Sequence, residues 1–143
     1  MSKLLELEIT TPEGKLLEDK VSNLVAETEE GELGILYDHA EMRAKLANTA
    51  VRFKNESGTE DVYAVLGGVI ELANNKITIL TNFAERGADI DEAEAEAEAE
   101  RARAEFQTLS PDAAKQDPHL VLAEARLQRQ LLKLKAARLS KTL

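Results

Sequence analysis

Alternating apolar and polar residues organise the first half of the chain. Leu5, Leu7 and Ile9 alternate with charged or hydroxyl side chains, which is typical of a β-strand with one solvated face. Further short apolar or alternating runs follow at residues 51–54, 62–66, 69–72 and 76–80. Many short strands with turn signals between them predict a β-sandwich of about ten strands, and we assign it to residues 1–86.

Two short sequences inside this half predict turns. Asn74 and Asn75 separate two strand patterns, and asparagine tolerates the positive φ of a tight hairpin. Gly67 and Gly68 also interrupt the strand pattern. A phosphate loop is disfavoured there, because no helix start and no Lys-Ser/Thr sequence follows the glycines.

The pattern changes to helix after Gly87. Glutamate and alanine alternate from residue 92 to 100, but both residues are good helix formers and poor strand formers. At helical spacing the segment contains a narrow apolar seam, formed by Ala95, Ala99, Ala102, Phe106 and Leu109. We therefore predict a helix over about 90–109, with Asp89 as its capping residue.

A second helix is predicted over about 118–139. Asp117 followed by Pro118 is a favourable helix start. Its apolar stripe contains Leu120, Ala123, Leu127, Leu131 and Leu134. Residues 85–110 carry nine acidic and three basic side chains, whereas 111–143 carry three acidic and seven basic ones. The pattern predicts an antiparallel two-helix hairpin over residues 87–143, with an acidic helix against a basic one.

The hairpin is expected to be weakly stable. Glu92, Glu96 and Glu100 are like charges at four-residue spacing, and each such pair costs a few tenths of a kcal/mol. An alanine seam also buries little apolar area per residue. The hairpin could therefore open and present its apolar and basic surface elsewhere.

Composition limits the chemistry that the chain can perform. With 18 basic and 27 acidic residues the net charge is −9, which disfavours nucleic acid as a partner. The chain has no cysteine, and its two histidines lie in different halves. We therefore expect no catalytic residue set, metal site or cofactor, and no independent enzyme activity. No apolar run approaches the ~20 residues of a membrane span, so membrane association would depend on partners.

The order of several short motifs resembles the epsilon subunit of F-type ATP synthases, over essentially the whole chain. These motifs are GELGIL followed by a histidine at 31–39, GGVIE at 67–71, ITIL at 77–80, AER at 84–86 and DID at 89–91. The resemblance implies a ten-stranded sandwich and two C-terminal helices in the central stalk. It also implies a non-catalytic rotor subunit that binds gamma and the c-ring and couples proton flow to ATP synthesis.

The resemblance also implies a location and two sets of contact residues. The complex would lie on the cytoplasmic face of a bacterial plasma membrane, or on a thylakoid membrane. Glu32 and His39 would contact the c-ring. The sequence departs from the family pattern at Tyr37 and Asp38, where a Pro-Gly turn is usual.

In the family the two helices form a switch. Folded beside the sandwich they permit turnover, and extended along gamma they reach alpha and beta and inhibit ATP hydrolysis. The candidate inhibitory residues here are Arg126, Arg129, Lys133, Lys135 and Arg138. The alternative is that these side chains only pair with the first helix or face solvent.

Some bacterial members bind ATP in the folded hairpin through an Ile/Leu-Asp-x-x-Arg-Ala motif. The corresponding sequence is IDEAEA at 90–95, so Glu94 stands where the arginine would be. Asp91 and Arg129 remain as nucleotide-binding candidates. We expect weak or absent ATP binding, because a carboxylate beside a polyphosphate is repulsive.

A second interpretation of the whole chain is a free-standing adaptor. Its helical hairpin would recruit another protein, and the sandwich would serve as a scaffold. Association with gamma distinguishes the two interpretations, since such an adaptor has no reason to bind gamma.

Overall fold

Nine β-strands and two α-helices form the part of the chain that the structure, a computed structural model, describes, which is residues 3–107 and 118–143. The strands are β1 (Leu5–Thr11), β2 (Gly14–Thr28), β3 (Gly31–Leu36), β4 (Met42–Lys45), β5 (Asn48–Asn55), β6 (Glu60–Leu66), β7 (Val69–Ala73), β8 (Lys76–Leu80) and β9 (Ala84–Arg86). After a short 3₁₀ turn at Gly87–Asp89, the helices are α1 (Glu92–Gln107) and α2 (Pro118–Thr142). The predicted class, a β-sandwich followed by two helices, is confirmed.

The strands are joined in the order β4-β7-β8-β1-β2-β5-β6-β9, and β3 pairs with β2. Strands β1 and β8 are parallel, and the other pairs are antiparallel. The predicted alternation in β1 is confirmed, because Leu5, Leu7 and Ile9 are fully buried. They contribute to one apolar core together with residues from β2, β3 and β5 to β8.

Strand β6 is buried on both of its faces. Tyr63 and Val65 belong to the sandwich core. Val62 and Ala64 point the other way and pack in a second apolar cluster with residues of both helices. This second cover explains why the sequence of β6 is continuously apolar instead of alternating.

The predicted turns are confirmed. Asn74 and Asn75 have φ values of 52° and 59° in the turn between β7 and β8. Gly67 and Gly68 connect β6 to β7 with φ values of 64° and 106°. A Cβ atom on Gly68 would lie 2.1 Å from the carbonyl oxygen of Leu80, so this position requires glycine for space as well as for conformation.

Helix α1 begins two residues later than predicted, and its cap is Asp91. The backbone N–H of Glu94 donates a 3.0 Å hydrogen bond to the Asp91 carboxylate. The predicted cap, Asp89, is wrong, because it lies in the 3₁₀ turn. Between them Ile90 is extended and its side chain is buried in the second cluster, so the helix cannot start before it.

The apolar seam of α1 is confirmed where the structure describes it. Ala95, Ala99 and Ala102 are only 1–3% exposed. The side chain of Phe106 and the whole of Leu109 lie outside the described residues.

Helix α2 buries a wider surface than one stripe. Three predicted positions are buried or partly buried: Ala123, Leu127 and Leu134. The prediction is wrong for Leu131, which is 38% exposed, and the side chain of Leu120 lies outside the described residues. A further set is buried: Leu132, Ala136 and Ala137. The reason is that α2 contacts α1 on one side and β5, β6 and β9 on the other, which makes it the middle layer.

Candidate functional site

The basic residues of α2 are the candidate functional site, and several of them are paired with α1. Arg126 forms an ion pair with Glu105. Arg138 Nε lies 2.9 Å from the carboxylate of Glu92, and Lys141 binds the other oxygen of that carboxylate. The acidic and basic helices therefore face each other as predicted from their charges.

Two other basic residues of α2 contact the sandwich. Lys133 Nζ lies 3.2 Å from a carboxylate oxygen of Glu85, which is in β9. The guanidinium carbon of Arg129 lies 3.9 Å from the centre of the Phe83 ring, within cation–π range. In this conformation both cations are engaged with the end of the sandwich.

Lys135 differs from the other four candidates. Its side chain is exposed, and among residues 3–107 and 118–143 no ion pair of Lys135 is found. Arg126, Arg129, Lys133 and Arg138 all have a partner within the chain. An external acidic surface could reach Lys135 directly, but it would have to replace an internal contact at the other positions.

The electrostatic centre of the helix pair is Glu92. Hydrogen bonds donated by Lys141 and Arg138 hold the pKa of this carboxyl below its ordinary value. Glu92 is at the start of α1, and Lys141 is in the last turn of α2. Both charges are favourable at these helix ends.

Glu32 and His39, the candidate c-ring contacts, are placed at opposite ends of β3. Glu32 is the second residue of β3 and pairs across the sheet with Glu27. The backbone N–H of His39 bonds to the carbonyl of Leu36, the last residue of the strand. Four residues of strand separate Glu32 from Leu36, a distance of about 13 Å.

The turn after β3 contains Asp38 in a left-handed conformation. Asp38 has a φ of 64°, a conformation that favours glycine. Its backbone N–H donates a 2.9 Å hydrogen bond to the side-chain oxygen of Asn75 in the β7–β8 turn. This bond supports an aspartate in the left-handed region.

Asp91 and Arg129, the nucleotide-binding candidates, are not brought together. The Asp91 carboxylate caps α1, and Arg129 stacks on Phe83. The start of α1 lies beside Arg138, which is nine residues after Arg129 and therefore about 13 Å further along the helix.

Two further kinds of site, metal centres and membrane spans, are absent from the described residues. In the described part of the chain, no cluster of three or more acidic or histidine side chains is arranged to bind a metal ion. Within those same residues, neither helix has the length and apolar character needed to span a bilayer.

Residues 4–87 match the family model described as ATP synthase, Delta/Epsilon chain, beta-sandwich domain. The match covers more than half of the chain. The chain belongs to the ATP synthase delta/epsilon family.

Relatives in the delta/epsilon family extend the match to the helices. The ATP synthase epsilon chain of Bacillus licheniformis is 36% identical over 136 residues, which cover 95% of this chain and 99% of that relative. The epsilon chains of Pediococcus pentosaceus and Lactiplantibacillus plantarum are 45% and 46% identical over 93 and 94 residues. Those two matches cover 64% of this chain and 66%, just under two thirds, of each relative.

Solved structures agree with the family assignment. One similar chain is in the cryo-EM structure of the Euglena gracilis mitochondrial ATP synthase, OSCP/F1/c-ring in rotational state 1. It has a TM-score of 0.75 and 26% identity, over 96% of this chain and 82% of that chain. A chain from the central stalk/c-ring structure of the Tetrahymena thermophila enzyme has a TM-score of 0.52 and 21% identity, over 93% of this chain and 96% of that one, and shows likeness of fold alone.

Three residues of the site in this delta/epsilon family member are not predicted from the sequence. Lys141 was missed because the helix was predicted to end at residue 139, whereas α2 continues to Thr142. Phe83 and Glu85 could not be recognised as site residues, because a strand pattern does not show which residues of a helix a strand residue will contact. The charge of Lys141, three residues after Arg138, could have extended the basic face.

Proposed function

We propose that this chain is a non-catalytic epsilon subunit in the central stalk of an F-type ATP synthase. It binds gamma and the c-ring through the sandwich and couples proton flow to ATP synthesis. It belongs on the cytoplasmic face of a bacterial plasma membrane, or on a thylakoid membrane, and is held there only by its partner subunits. The observation that carries the proposal is the Bacillus licheniformis match, which runs through both the sandwich and the two helices.

The rotor assignment is tested by association with gamma. The full chain should follow tagged gamma through stringent washing, and the sandwich alone, residues 1–87, should do the same. A chain that binds no gamma would support the adaptor interpretation instead.

The c-ring contact is proposed to use both ends of β3. Glu32 would provide one point of contact and His39 a second one. Glu32 lies near the start of β3, and His39 lies in the turn that follows its end. Substituting Glu32→Gln and His39→Ala separately should each weaken binding to isolated c-ring, and the double variant should weaken it further. If neither variant changes c-ring binding, the contact lies elsewhere.

The inhibitory role is assigned to the basic face of α2, acting on the alpha and beta subunits. Four of its five cations are neutralised or stacked inside the chain. Arg129 and Lys133 become available when α2 leaves the sandwich, and Arg126 and Arg138 when α2 separates from α1. An extended, basic helix would then pair with an acidic surface of alpha or beta. Deleting residues from Ala88 onward should raise ATP hydrolysis by the reconstituted catalytic head while assembly is retained. Unchanged hydrolysis would exclude the inhibitory role.

Lys135 provides a finer test, because its substitution removes no ion pair that is seen in the described residues. Lys135→Gln should raise hydrolysis without changing the position of α2 in the isolated chain. Arg103→Gln is the matched control, since Arg103 is an exposed cation of α1 that pairs with Glu100. An equal effect of both variants would indicate a general charge effect instead of a specific contact.

Weak or absent ATP binding is part of the proposal. Glu94 is an exposed carboxylate at the motif position of the arginine. Asp91 and Arg129 are engaged at two separate places. Calorimetry of the isolated chain should show no binding in the micromolar range, and Glu94→Arg should increase whatever affinity exists. A micromolar dissociation constant for the unmodified chain would overturn this part.

A further inference from the structure

Three alternate residues at the end of the sandwich contact successive turns of α2. Phe83 lies against Arg129 at 3.9 Å, and Glu85 pairs with Lys133 at 3.2 Å. Gly87 approaches the backbone of Ala136 so closely that a Cβ atom on the glycine would lie 2.6 Å from the Ala136 carbonyl oxygen. We name these three contacts the β9–α2 contact row.

The row exists because the spacing of alternate residues in an extended segment is close to the rise of one turn of a helix. Alternate residues of an extended segment are about 6.6 Å apart. Residues three or four positions apart in a helix are separated by about 4.5 or 6 Å along its axis. Positions 83, 85 and 87 can therefore face positions 129, 133 and 136 one after the other.

The strand side of the row is fixed to the sandwich. Ala84 pairs with Val65 in β6 and packs against the sandwich core. Arg86 donates a 2.9 Å hydrogen bond to Asp61, also in β6. The residues between the row positions thus anchor the segment, and the row positions themselves remain available for α2.

Gly87 is the position with the least freedom. It is buried, and both the backbone of Ala136 and the Cβ of Ser140 lie within 3.2 Å of where a Cβ would be. The contact is between two backbones, so no flexible side chain can move aside. A methyl group here would displace the C-terminal part of α2.

The contacts between α1 and α2 are separate from this row. They involve Glu105 with Arg126 and Glu92 with Arg138 and Lys141. Helix α2 contacts β5, β6 and β9 as well as α1, so loss of the α1–α2 contacts leaves its contacts with the sandwich in place.

We infer that the β9–α2 contact row is a clamp that acts beside the apolar cluster of β6 and holds α2 on the sandwich independently of α1. This inference deepens the proposed switch, and its consequence for ATP hydrolysis by the complex rests on that proposed function. The clamp itself is tested by the position of α2 relative to the sandwich, which can be measured in the full chain.

The test uses distances between spin labels in the full chain. The chain contains no cysteine, so introduced pairs are its only thiols. The pair Glu13→Cys with Lys135→Cys measures the separation of the sandwich and α2. The pair Ala97→Cys with Lys135→Cys measures the separation of α1 and α2. All three positions are exposed.

Gly87→Ala should move the sandwich–α2 distances to longer values and lower the ratio of docked to undocked chains about tenfold. Gly34→Ala is the matched control, because a Cβ at Gly34 meets no atom within 4 Å. It should leave the distances unchanged. Unaltered distances in Gly87→Ala would overturn the inference.

A variant of the α1 seam tests independence. Ala99→Glu places a charge at a buried position that faces α2. It should lengthen the α1–α2 distances and leave the sandwich–α2 distances as they are. If it displaces α2 from the sandwich as strongly as Gly87→Ala does, the row is not an independent clamp.

A charge exchange tests the row without adding volume. Glu85→Lys and Lys133→Glu should each reduce docking, and the double variant should restore it, provided that the pair acts within the row. Failure of the double variant to recover docking would contradict the inference.

If Gly87→Ala releases α2 but ATP hydrolysis by the complex is unchanged, the clamp stands and the inhibitory function fails.

Discussion

The guanidinium of Arg138 lies 2.9 Å from the carboxylate of Glu92, which connects the end of α2 to the start of α1. Lys141 donates a hydrogen bond to the other oxygen of the same carboxylate. One acidic residue therefore holds two cations and favours the antiparallel direction of the helices.

Replacing Glu92 by glutamine should weaken the pairing of α1 with α2. We expect amide hydrogen exchange in α1 to become about two- to fivefold faster at low salt, since exposed ion pairs are weak. High salt should raise the exchange rate of α1 in the unmodified chain towards the rate in the variant, because salt screens the ion pairs. Glu94→Gln is the control, because it removes the same charge from the same turn and Glu94 forms no ion pair among the described residues. Equal acceleration in both variants would contradict a specific role of Glu92.

Acid should loosen the same helix pair. The folded chain lowers the pKa of Glu92 from 4.5, with the hydrogen bond from Lys141 as the largest cause. The carboxylate therefore stabilises the folded pairing fully above pH about 4.5, and this contribution is lost as the pH falls through the lowered pKa. The α1–α2 label distances should lengthen in that acidic range, and the Glu92→Gln variant should lack this component. A pH response that is identical in the variant would assign it to other carboxylates.

Asp91→Ala should destabilise α1 by about 1 kcal/mol, because the N–H of Glu94 loses its acceptor. The helical signal in far-ultraviolet circular dichroism should fall, and amides in the first turn of α1 should exchange faster. Asp89→Ala serves as the control, since Asp89 lies in the 3₁₀ turn and is 3.9 Å from Arg86. A larger loss for Asp89→Ala would return the capping role to that residue.

Gly68→Ala should destabilise the sandwich by about 2–4 kcal/mol. The new Cβ would lie 2.1 Å from the carbonyl oxygen of Leu80, and the residue has a φ of 106°. Urea unfolding should show a lower midpoint than for the unmodified chain. Gly34→Ala should unfold near the unmodified midpoint because its Cβ meets open space. Similar midpoints for the two alanine variants would show that the turn can rearrange.

Much of the fold could be predicted because its signals are local. The alternation around Leu7 indicates one buried face, and the asparagine pair at Asn74 and Asn75 indicates a hairpin. The seam of Ala95 and Ala99 was visible at helical spacing despite the two-residue alternation. In each case a few neighbouring residues contain the whole pattern.

Other features depend on neighbours that are distant in the sequence. The local sequence predicts Asp89 as the cap of α1, but the burial of the extended residue Ile90 places the helix start after it. Leu131 fits a single stripe, but α2 has two packing partners and buries Leu132 instead. The candidate site shows the same division, because the cations could be named from the sequence and their partners could not.

The sequence by itself determined the types of elements, their order and the opposite charges of the two helices, because periodicity, propensity and composition are properties of short segments. Only the tertiary structure decided that α2 is the middle layer, that Glu92 holds Arg138 from 46 residues away, and that Gly87 meets the backbone of Ala136. These contacts require side chains and backbones to lie within a few ångströms of each other. Such distances follow from the packing of whole layers, which no local pattern encodes.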